Sequence, residues 1–147
     1  MADQLVVGGR IAADLLDAYL CDTLTEEYIA VYEPTIRGET MNAIIVGPQG
    51  LFVLHAVGWE GEITPSQRGP WTALLASGQE VRHPNPAANA QRANQALTAF
   101  LQDEFPDLRP TIFYIVVLLA SSASLNTHST SDPPCVPVDS LGQAILS

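Results

Sequence analysis

Few residues in this 147-residue chain can do chemistry, and the most informative of them interrupts an apolar run. In Leu51-Phe52-Val53-Leu54-His55-Ala56-Val57 the side chains of a strand alternate, so Leu51, Val53, His55 and Val57 share one face and Phe52, Leu54 and Ala56 the other. An imidazole in that setting admits three roles: general base, zinc ligand, or core histidine bonded to Asn42 or to a backbone carbonyl. The third is expected, because buried polar groups find partners. Asn42 is accordingly expected to be a buried amide that pairs with His55 across a hairpin. Glu39, Glu60 and Glu62 flank the same stretch and are its nearest carboxylates, in segments that read as loops. His83 and His128 lie in loop-like stretches and are expected at the surface. Trp59 and Trp71 offer either an exposed aromatic patch or packing against a sheet, with at least one expected to pack. Tyr19, Tyr28 and Tyr32 include no nucleophile with an adjacent base, and no motif of a Ser or Cys triad is found. Cys21 and Cys135 stand far apart without paired spacing, which predicts semi-buried thiols and neither a disulfide framework nor a zinc module.

The elements that would position these residues are legible from pattern. Gly8 to Leu20 carries Ile11, Ala12, Leu15, Leu16, Tyr19 and Leu20 at helical spacing, an amphipathic helix with one buried stripe. Glu27 to Glu33 reads as a strand and Pro34 to Glu39 as a connection. Met41 to Val46 and Leu51 to Val57 are two strands joined by Gly47-Pro48-Gln49-Gly50, a turn with proline at its second position and glycine at its close. Three consecutive antiparallel strands follow. Gly58 to Ser77 is rich in Gly, Pro, Ser and Gln, with Pro70 to Leu75 as one short edge strand. Asn85-Pro86 starts a long helix traced by Ala90, Ala93, Leu97, Phe100 and Leu101, which Pro106 stops by about Phe105. Thr111 to Ala120 has the apolar continuity of a strand buried on both faces and central in a mixed sheet. Ser121 to Pro134 reads as a loop, Val136 to Val138 as a last strand, and Ser140 to Leu146 as a short helix capped by Asp139.

These runs resemble the nuclease-related domain, NERD, a branch of the PD-(D/E)XK nuclease superfamily. Its hairpin reads roughly Gln-Ile-Asp-His, an apolar strand, Gly-Pro-x-Gly, a second apolar strand, Glu-x-Lys, then an aromatic, a Gly and an apolar residue. Here Gly47-Pro48-Gln49-Gly50 keeps the turn, Leu51-Phe52-Val53-Leu54 the strand, and Trp59, Gly61 and Ile63 the tail. Asn85-Pro86-Ala87-Ala88-Asn89 stands where the family shows Asn-Pro-x-x-Gln, so Asn89 retains an amide one methylene shorter. The resemblance runs from about Gly8 to Ile145. It implies an α/β fold with a mixed central sheet flanked by helices, restriction-endonuclease-like, in one domain over residues 1–147. It also implies metal-dependent cleavage of nucleic acid, with carboxylates holding Mg²⁺ or Mn²⁺ and a lysine near the attacking water. At the four positions that carry that chemistry this chain departs. Gly9 stands for the helix Glu, Asn42 for the Asp, His55 for the strand Glu and Val57 for the Lys, and the chain contains no lysine at all.

Net charge is −10, and the six basic residues are arginines scattered singly, so the chain is a poor candidate for gripping phosphate unaided. The longest apolar run is about half of what spans a bilayer, and Met-Ala-Asp-Gln lacks the basic region of a signal peptide. A soluble, cytoplasmic protein without membrane contact is expected. The reading preferred is a catalytically degenerate nuclease-fold domain, a binding or structural module that meets an unknown protein partner or a second copy of itself, with no cofactor. Two alternatives stand beside it. One is a nuclease with displaced ligands drawn from Glu39, Asn42, His55, Glu60 and Glu62, dependent on Mg²⁺ or Mn²⁺. The other is a small-ligand pocket in the vestigial cleft, with Asn42, His55, Asn89 and Trp59 as its candidates.

Overall fold

The computed structural model describes residues 28–126 and 134–146. The predicted first helix, Gly9, Cys21 and His128 lie outside them.

A five-stranded mixed sheet is built from β1 (Ile29–Tyr32), β4 (Ala43–Gly47), β5 (Gly50–Val57), β9 (Ile112–Leu118) and β11 (Cys135–Pro137), in the order β1-β4-β5-β9-β11. β1, β4 and β5 form the expected antiparallel meander, and β9 runs parallel to both β5 and β11. The β4–β5 register pairs Gly47 with Gly50, leaving Pro48-Gln49 as the two-residue loop. Gly50 closes it at φ +141°, and a Cβ there would stand 2.2 Å from the Thr111 carbonyl oxygen, to which Leu51 N–H donates at 2.9 Å. Only glycine lets β5 begin that close to the strand beside it.

Between β5 and β9 the chain makes a long helix, α1 (Ala87–Glu104). Asn85 Oδ1 accepts the Ala87 N–H at 2.9 Å, while its amide donates to Ser66 and Gly69 carbonyls, so the expected cap also pins the start of the helix to the preceding loop. Ala93 and Leu97 pack with Met41, Ile44, Leu51 and Val53 on one sheet face. On the other face, Leu141 and Ile145 of α2 (Leu141–Leu146) meet Ala43, Ile45, Phe52, Leu54, Ile115 and Val117. The strand alternation read from the sequence therefore assigns each face its helix, and the fold is the expected mixed α/β sheet with helices on both faces. No helix among the described residues is long and apolar enough to cross a membrane.

Several expectations are corrected. The Pro34 to Glu39 connection holds a two-stranded ribbon, β2 (Thr35–Ile36) with β3 (Glu39–Thr40), closed by Arg37 and Gly38 at φ 53° and 84°. Two successive residues at positive φ are what a two-residue hairpin loop requires, and Arg-Gly is a weak sequence signal for it. Pro70 to Leu75 is no edge strand. β7 (Trp71–Leu74) lies inside a second sheet of order β10-β6-β7-β8, between β6 (Glu62–Thr64) and β8 (Glu80–His83), with β10 (Ser124–Leu125) drawn from the expected loop. These neighbours are too short and too polar to show periodicity, and they form because Ile63, Trp71 and Ala73 bury against Val57, Val116 and Leu118. β9 is buried on both faces only from Ile115 onward, with Phe113 exposed. β4 begins one residue beyond Asn42. Asp139 sits within a 3-10 turn (Val138–Ser140) that leads into α2.

Candidate functional site

Where α1 crosses the sheet it leaves a cleft of about 280 Å³. β5 supplies Val53, Leu54 and His55, the segment before β4 supplies Met41 and Asn42, α1 supplies Asn89 and Ala93, β9 supplies Tyr114, and the β2–β3 ribbon brings Glu39, with Glu33 just ahead of it. Asn42, His55 and Asn89 are thus brought together as expected. Tyr114, which sequence reasoning missed, lies beside Val53 in the parallel register and adds a phenol. The signal was present: Tyr114 is the one hydrogen-bonding side chain in Ile112–Leu118.

Asn42 is buried, and its Oδ1 accepts the Ala56 backbone N–H at 2.8 Å. The expected Asn42–His55 hydrogen bond is not formed; the amide oxygen instead extends the ladder that β4 leaves at its first pair, Ala43 with Leu54. His55 is half-buried, and its imidazole makes no hydrogen bond to any described residue. Burial lowers its pKa to about 4, so the ring is neutral at physiological pH. It stacks on Tyr114 with centroids 6.0 Å apart and planes 27° apart. Burial pushes the Tyr114 phenol above the ordinary tyrosine range, with Arg92 opposing and Glu39 adding to the shift.

At the rim, Arg92 Nε stands 3.5 Å from Glu39 Oε1 and its Nη2 donates to Asn89 Oδ1. A second ion pair, Arg37 with Asp103, ties the ribbon to the end of α1. Glu60 and Glu62 do not line the cleft. Glu60 is exposed and accepts from Ser122 Oγ at 3.4 Å, and Glu62 lies exposed on β6. Among the described residues no three His, Cys, Asp or Glu side chains come together as a metal-holding group.

Val57, two residues beyond His55 on the same strand, is fully buried in the cluster of Trp59, Trp71 and Leu118 beneath the second sheet. The aromatic patch considered from the sequence is also absent: Trp59 and Trp71 are both buried and meet edge to face at 6.0 Å. Trp59 does not line the cleft. His83 is buried too, contrary to its expected place at the surface, stacked flat on Trp59 at 4.4 Å, with its pKa lowered by desolvation. Cys135 is buried beside this cluster, and burial pushes its thiol up to about 12, which leaves it unreactive.

A family model for the nuclease-related domain, NERD, matches residues 7–119 of the chain. No curated protein and no solved structure matches it.

Proposed function

Because this chain belongs to the nuclease-related domain family, we propose that it is a NERD domain that has given up cleavage and serves as a binding or structural module. The observation that carries this reading is the strand face of β5, where Glu-x-Lys is replaced by a neutral His55 and a fully buried Val57. A lysine at that second position would have to enter an apolar cluster beneath Trp71, and the chain has none to send from elsewhere.

The divalent cation of the family does not fit the described residues of the cleft. A hard cation needs charged oxygen ligands. Asn42 spends its oxygen on Ala56 N–H, and the other half of its amide is an NH₂, which donates and does not ligate. Glu39, the one displaced candidate carboxylate in the cleft, is held by Arg92. No cofactor is assigned, and no step is drawn through a metal. The charge of −10 with scattered arginines argues against unaided binding of nucleic acid, so the object of the module is a protein partner, a second copy, or a small molecule held in the cleft that no longer cuts.

The test is incubation of the purified chain with supercoiled plasmid, single-stranded DNA and RNA in Mg²⁺ or Mn²⁺. No cleavage is expected. Metal-dependent cleavage that disappears in His55→Ala would overturn the proposal.

A further inference from the structure

The cleft that lost the chemistry retains unspent hydrogen-bonding groups. His55 carries one N–H donor and one lone-pair acceptor with no protein partner among the described residues, the Tyr114 hydroxyl is likewise unengaged there, and Asn89 uses only its oxygen, toward Arg92. These three groups converge on one space of about 280 Å³, near the lower end of ligand-site volumes, whose other walls include the apolar Met41, Val53 and Ala93. The two rings stand at a fixed 6.0 Å on neighbouring strands, so their polar edges are positioned without a ligand's help. Unpaired polar groups beside an apolar wall are what a small flat molecule with its own donor and acceptor would satisfy.

Charge on the ligand is disfavoured in either sense. The desolvation that keeps His55 and Tyr114 neutral would fall on a charged ligand too, and neither ring offers it a counter-charge. At the mouth, Glu33 and Glu39 repel an anion, and Arg92, the one cation beside them among the described residues, is already taken by Glu39 and Asn89.

Resting on the reading of this cleft as a site that binds and does not cut, we propose that it takes a small uncharged ligand built on a flat ring that bears an adjacent hydrogen-bond donor and acceptor, as a primary aromatic carboxamide does. His55 and Tyr114 read the polar group, Asn89 flanks it, and Val53, Met41 and Ala93 cover the ring.

Three probes of matched shape separate charge from fit: benzamide, benzamidinium and benzoate, titrated into the full chain while the His55 and Tyr114 ring resonances are followed by NMR. Benzamide should move both sets saturably with a millimolar dissociation constant, as expected for so small a molecule, and the two ions should bind at least about tenfold more weakly. Tyr114→Phe, which keeps the ring and removes the hydroxyl, should weaken benzamide several-fold. Equal or tighter binding of either ion overturns the proposal, as does benzamide that leaves both rings unmoved up to its solubility. The cleavage assay on the same sample distinguishes the two readings. A chain that neither cuts nor binds benzamide refutes this inference alone, whereas one that cuts refutes the proposed function.

Discussion

Asn42 Oδ1 accepts the Ala56 N–H at 2.8 Å, so a side chain continues the ladder that β4 itself begins only at Ala43. Both groups are buried. Asn42→Ala removes the acceptor and strands a buried N–H, which should cost about 1–3 kcal/mol of unfolding free energy. Denaturant melts of the variant check this, and a loss below a few tenths of a kcal/mol would mean that the backbone finds another acceptor.

Restoring the family residues should weaken this fold rather than revive it. Val57→Lys places an ammonium in the apolar cluster of Trp59, Trp71 and Leu118, at a cost of about 3 kcal/mol or more. The triple variant Asn42→Asp, His55→Glu, Val57→Lys should be destabilised at least as much without metal. A melt that leaves either variant as stable as the parent would show that the cluster opens readily toward solvent.

His55 sets a pH dependence whose sign follows from its lowered pKa. The unfolded chain takes up the proton near pH 6.5 and the folded chain only near pH 4, so the unfolded state binds more protons in that window and stability falls as pH falls through it. The loss should reach about 2–3 kcal/mol at pH 4. His83, whose pKa burial also lowers, adds in the same direction. Urea melts at several pH values should give His55→Gln a shallower slope than the parent between pH 6.5 and 4; equal slopes would assign the pH dependence to other groups.

Gly50→Ala should be far worse than an ordinary loop substitution. The new Cβ would meet the Thr111 carbonyl oxygen at 2.2 Å, and φ +141° is strained for any L side chain. A loss of about 2–4 kcal/mol is expected. Thermal unfolding measures it, and a shift within about a degree would mean that β5 and the start of β9 separate at little cost.

By itself the sequence determined the frame of this protein. Alternation in Leu51 to Leu54 assigned successive side chains of β5 to two helix-covered faces, Gly47 to Gly50 set the hairpin register, and Asn85-Pro86 with Pro106 bounded α1. These are local matters, governed by backbone preference and by the period of the chain. Even the gathering of Asn42, His55 and Asn89 in one cleft could be anticipated, because strand and helix positions fix which faces meet. What the tertiary structure decided is where polar atoms spend their bonds and which short segments become strands. Asn42 stands at the end of a ladder, and its amide oxygen takes a backbone N–H rather than the imidazole across from it. The second sheet, the burial of Trp59 and His83 and the place of Tyr114 have the same origin. Each depends on residues far apart in the chain competing for one apolar surface, and a competition of that kind leaves no periodicity in the sequence.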